Sequence, residues 1–137
     1  METGSKASEL IEKAKALFGK QVDLIVRQEQ KVVELIQGVG QKLTKLAQNP
    51  KVRKLTEPVQ IFIRMIKAHF RGQHKVSMGT LGLIVLAMVY FLSPIDIIPD
   101  FLGFFGFADD LSIVLAVYAK VKDEVDGFLE WERTQAD

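Results

Sequence analysis

Four carboxylates, Asp96, Asp100, Asp109 and Asp110, are the only charged side chains between Val76 and Ala119. Carboxylates this close in an apolar stretch repel one another and are costly to bury without a counter-charge. A hard divalent cation, Mg2+ or Ca2+, prefers oxygen ligands, so all four are candidate metal ligands. Basic groups from earlier in the chain, Arg64, His69, Arg71 and Lys75, are the alternative counter-charge through an ion-pair network. Each Asp also has a structural job available. Ser93-Pro94-Ile95-Asp96 reads as a capping box, with Ser at N-cap, Pro at N1 and Asp at N3. Asp100, directly after Pro99, ends or redirects that short turn. Asp109 and Asp110 suit the N-cap and N1 positions of a following helix, where the dipole favours negative charge. The spacing matches no EF-hand loop, and the structural reading accounts for all four residues.

Little else in the chain has the makings of a reaction centre. His69 and His74 lie five residues apart on either side of Gly72, off the i, i+4 geometry of a helical ligand pair. Cys is absent, which excludes Cys-ligated zinc and iron–sulfur sites and a disulfide framework. No nucleophile elbow or Gly-rich phosphate loop occurs. An enzymatic reading needs a metal held by the Asp cluster to activate water, and the sequence supplies no base to serve it. The basic half has the aromatics Phe18, Phe62 and Phe70, but they sit on apolar faces rather than between cations, so nucleic-acid binding is not expected.

The elements that must position these residues are helices. From Glu9 to about Gln48, Ile11, Phe18, Ile25, Val32, Val39 and Leu46 recur every seventh residue. Leu10, Leu17 and Leu24 flank them on one side, and Val22, Ile36 and Leu43 on the other. Lys13, Lys20, Arg27, Glu34 and Lys42 oppose them, which is the pattern of an amphipathic helix. Six heptads would run about 60 Å, so a break is expected near Gly38 and Gly40, each costing up to roughly 1 kcal/mol in a helix. A stripe this wide needs a partner: the chain folding back, another protomer in a coiled coil, or a lipid surface. Asn49-Pro50 reads as a stop and a start, with Pro50 at N1 of a short turn. A second helix is predicted over 58–71, a third over 77–92 and a last over 108–131. No strand pattern and no internal repeat appears. The fold class is therefore all-α, a helical hairpin or small bundle with a long amphipathic N-terminal helix.

Charge and hydropathy divide the chain further. Residues 1–75 hold 15 Lys and Arg against 7 Asp and Glu, a net +8. Residues 76–137 hold 3 against 10, a net −7. Val76 to Ile95 carries no charge at all, and twenty helical residues match the roughly 30 Å of a bilayer core. Its dense apolar part, Leu81 to Leu92, is shorter, a length that suits a buried core helix or a re-entrant segment equally. Arg64, Lys67, Arg71 and Lys75 just before it are the candidate contacts for an anionic lipid surface on the cytoplasmic side. The N-terminus has no secretory signal pattern.

The run Tyr90-Phe-Leu-Ser-Pro-Ile-Asp-Ile-Ile-Pro-Asp100, followed by Gly106 and Asp109-Asp110, resembles the YkvA-like family, a bacterial and plant domain of unknown function. The likeness spans about residues 55–122. Gly103 departs from it, standing where the family often has Pro. The resemblance implies a small all-helical protein, commonly membrane-associated, with no established activity. It frames residues 51–137 as the family domain and residues 1–50 as an attached helix for oligomerisation or for partner or membrane contact. Two functional readings stand. One is a non-enzymatic membrane-associated protein that recruits copies of itself or partners through residues 9–48. The other is a soluble all-α binding module, with a Mg2+- or Ca2+-binding protein as a further alternative.

Overall fold

The computed structural model describes residues 2–46, 48, 50–92 and 106–136. They form α1 (Glu2–Val26), α2 (Glu29–Leu46), α3 (Pro50–Phe70), α4 (Met78–Leu92), α5 (Gly106–Lys120) and α6 (Lys122–Ala136). No strand occurs among the described residues, and the all-α expectation holds.

The heptad stripe finds its partner inside the chain. Ile11, Phe18, Ile25, Val32 and Val39 are all buried in the core. α1 lies across α4 and α5, while α2 packs on α4, α1 and α3. One cluster of buried residues runs from Ile11 to Phe128, so the N-terminal helices share a single core with the helices after Pro50. Burying that stripe internally removes the demand for an outside partner that an isolated helix would have.

The break in this segment falls at Arg27–Gln28 rather than near Gly38. The Gln28 amide bonds back to the Ile25 carbonyl at 3.0 Å, and the Gln28 carbonyl accepts from Lys31 and Val32, opening α2. Gly38 stays helical for a packing reason. A Cβ built there would stand 3.0 Å from Leu92 Cδ1, so glycine lets α2 approach the end of α4.

Pro50 begins α3 as the sequence predicts, but α3 does not restart at Pro58; it runs through that residue. An interior proline costs about 3 kcal/mol in an exposed helix. Here it sits among the buried Leu55, Val59, Phe62 and Ile66, whose packing offsets the lost hydrogen bond. α3 ends in a Schellman motif. Gly72 takes a φ of 74°, the Gln73 amide reaches the Ala68 carbonyl at 2.9 Å, and the Gly72 amide reaches His69 at 3.1 Å.

α4 is the centre of the bundle. Leu81 and Ile84 through Phe91 are all buried, covered by α1, α2, α3 and α5. At about 1.5 Å per residue its fifteen residues span about 22 Å, short of a bilayer core. No described helix is long and apolar enough to cross a membrane. The uncharged run is thus packed as a core helix, and the apolar hairpin of α4 and α5 faces the chain's own helices. The expected helix over 108–131 is divided at Val121, though the bonds Val121 to Val117 and Val125 to Val121 carry the ladder across.

Candidate functional site

A buried apolar helix has unsatisfied amides at its start and unsatisfied carbonyls at its end. In α4 both ends are served by side chains from other helices. At the N-terminus Ser77 is the cap: the Thr80 amide donates to its Oγ at 3.3 Å. Glu124 of α6 supplies the acid that a capping box normally takes from its own helix. Its carboxylate accepts the Ser77 amide at 3.2 Å, the Ser77 hydroxyl at 2.5 Å and the Thr80 hydroxyl at 2.6 Å. Burial pushes the Glu124 carboxyl up. The bonds from Ser77 and Thr80 and the nearby charge of His74 outweigh that and leave it below the ordinary 4.5. At the other end, the Lys42 ammonium donates to the Phe91 carbonyl and stands 5.0 Å above the Phe91 ring. An acid at the start and a cation at the finish match the helix dipole.

Of the basic residues expected to neutralise the Asp cluster, Arg64 lies within α3, His69 in its last turn, and Arg71 and Lys75 in the connection to α4. Arg64 makes a fork pair with Glu132, Nε at 2.8 Å and Nη2 at 3.0 Å. The His69 Nδ1 accepts the Val76 amide at 3.0 Å. His74 lies against Phe128 at 5.5 Å and Trp131 at 5.1 Å between ring centroids. Both imidazoles therefore have structural work, and Arg64 already has its carboxylate. Lys67, Arg71 and Lys75 are exposed. Lys67 and Arg71 form a ridge between two shallow grooves, one shared with Val33 and Phe70, the other with Phe128 and Trp131.

α1 presents a second surface, formed by the leucines that flank its heptad stripe. Leu17 is 52% exposed and Leu24 57%. Each is followed three residues later by an exposed cation, Lys20 and Arg27, as Leu10 is by Lys13. The spacing puts leucines and cations side by side along one outer strip of the helix.

Residues 80–116 match the model of a protein family of unknown function, DUF1232. The stretch takes in most of α4, the Ser-Pro-x-Asp run and most of α5. Over these residues the chain is similar to the YkvA-like family. The uncharacterized membrane protein YkvA of Bacillus subtilis (strain 168) is 29% identical over 80 residues, covering 58% of this chain and 76% of that protein. No solved structure matches the chain.

Ser93, Pro94, Asp96, Pro99 and Asp100 lie outside the described residues. Asp109 and Asp110 are the fourth and fifth residues of α5, which starts at Gly106. That places them past the N-cap and N1 positions the sequence suggested, at the end of the first turn, where the dipole still favours an acid. The C-terminus of α5 lies beside the N-terminal half of α4, so the two helices are antiparallel. Asp109 and Asp110 therefore start at the Lys42 end of α4, away from the turn that holds His69, Arg71 and Lys75. Among the described residues no group of three or more His, Asp or Glu gathers as a metal site.

Proposed function

We propose that this chain is a non-enzymatic, membrane-associated helical module that docks on an anionic bilayer surface through α1, without spanning it. The observation carrying this reading is the exposed pair Leu17 and Leu24 lined by Lys13, Lys20 and Arg27. An apolar strip bordered by cations is the arrangement of an interfacial helix, whose leucines enter the headgroup boundary while its lysines meet lipid phosphates. Each Lys or Arg near an anionic surface is worth about 1 kcal/mol. The ridge of Lys67 and Arg71 beside Val33 and Phe70 offers the same chemistry, and its cations make no ion pair among the described residues. The name of the Bacillus relative as a membrane protein agrees with the reading.

The heptad spacing of Leu17 and Leu24 favours a second reading, a seam between two copies of the chain. Co-sedimentation with vesicles separates the two. Wild-type protein is expected to pellet with phosphatidylglycerol-containing vesicles and not with phosphatidylcholine alone, and to be released by salt. The double variant Leu17→Asp, Leu24→Asp changes only exposed positions, so it should melt within about 1 kcal/mol of wild type while losing at least about tenfold in vesicle affinity. Equal pelleting of the variant would sink the bilayer reading. A drop in molar mass on the same change, with no vesicle binding in the wild type, would support the seam.

A further inference from the structure

A groove of about 590 Å3 opens between α1, the first half of α4 and the end of α5. Three helical glycines, Gly19, Gly79 and Gly82, line it, and a Cβ at any of them would meet nothing within 4 Å. Each costs its helix up to roughly 1 kcal/mol relative to alanine. No packing contact accounts for them, so what they do is keep the groove open. The walls are apolar, from Val22, Leu83, Leu86 and Val121. The hydroxyls of Ser77 and Thr80 border one end, but both donate to Glu124, which leaves no free donor for a ligand there. At the lip lies Met78, 66% exposed, a flexible apolar side chain suited to folding over a chain-like guest. The charged rim holds Lys15, Lys120 and Asp23. Lys15 is drawn to Glu12 only at 3.6 Å and on the surface, and Lys120 makes no ion pair among the described residues.

We propose that this groove binds a long-chain carboxylate, its hydrocarbon laid along the glycine-lined floor and its head at Lys15 and Lys120. The volume falls within the range of small-molecule pockets, which are apolar with a few placed polar groups. A hydrocarbon guest is favoured by walls without free donors, and two rim cations against one acid set the sign of its head. The inference goes beyond bilayer docking by α1, whose leucines lie on a different strip of that helix.

Isothermal titration with laurate, and with dodecylammonium as the opposite-charge control, tests it. Wild type should bind laurate saturably at one site and dodecylammonium more weakly. Gly82→Leu fills the groove from α4 and Gly19→Leu from α1. Each should weaken laurate at least about tenfold without lowering the melting temperature. Lys120→Glu should weaken laurate and spare dodecylammonium. Using two blocking variants on different helices separates blocking from misfolding. Unchanged laurate affinity in both, no saturable uptake by wild type, or equal affinity for the two amphiphiles would overturn the proposal. The glycine variants should still bind anionic vesicles as wild type does, so failure of the groove and failure of bilayer docking give different results.

Discussion

Phe18→Ala is expected to cost about 3–5 kcal/mol, a large share of the 5–15 kcal/mol that holds a domain of this size folded. Phe18 is 3% exposed and meets the Tyr90 ring edge-on, with centroids 5.7 Å apart. Truncation removes an aromatic from the seam between α1 and α4 and leaves a cavity that neighbouring helices fill only in part. The distinguishing feature is concentration dependence. An internal seam gives a melting temperature that does not move with protein concentration, in wild type and variant alike. A seam between copies makes both rise with concentration by mass action. Thermal unfolding followed by circular dichroism over a wide concentration range therefore reads both the size of the loss and its origin.

The second large effect is expected at Glu124. Glu124→Ala removes three acceptor bonds at once, returning the exposed Ser77 amide and hydroxyl to water and leaving the Thr80 hydroxyl without its partner. Thr80 is buried, so its hydroxyl loses a partner with little water to replace it. The cost should be about 1–3 kcal/mol. Glu124→Gln keeps the shape and one acceptor oxygen and should recover part of it. The pH dependence follows from the lowered carboxyl. In the unfolded chain Glu124 takes up its proton near 4.5, and in the folded chain only at lower pH. Between those points the unfolded state binds more protons, so stability falls as pH falls. The contribution is fully present above the ordinary value and disappears as pH drops through the folded one. Melting temperatures measured from neutral pH into the acid range should drop more in wild type than in Glu124→Gln. Parallel curves would show that the carboxylate is not held in its charged form.

The helices and the face each buries were legible because apolar residues recur at helical spacing and Pro50 and Gly72 mark real boundaries. The break at Arg27–Gln28 was not. Ile25 and Val32 keep their seven-residue interval across it, and a change of helix direction that preserves phase leaves no trace in the pattern. Gly38 misled for the opposite reason. Its low helix propensity is real, but Leu92 Cδ1 would stand only 3.0 Å from a Cβ there, and that tight contact favours glycine. Pro58 reads as a helix start because local cost, not the surrounding burial, is what a sequence displays. The cap of α4 shows a similar limit. Ser77 caps the helix, and the acid that completes the cap comes from Glu124, forty-seven residues later, which no local spacing announces. Arg64 was legible as a cation seeking a carboxylate, and the one it meets, Glu132, lies sixty-eight residues later in the chain.

α4 is the core of a helical bundle, and in the proposed function the chain meets a membrane from its surface. Alkaline carbonate extraction of membranes from cells producing the full chain tests this most directly. Carbonate strips proteins held by surface contacts and leaves those embedded in the hydrocarbon. The protein is predicted to appear in the membrane pellet before treatment and in the supernatant after it. Retention in the carbonate-washed pellet would contradict the account and would place Val76 to Ile95 within the bilayer.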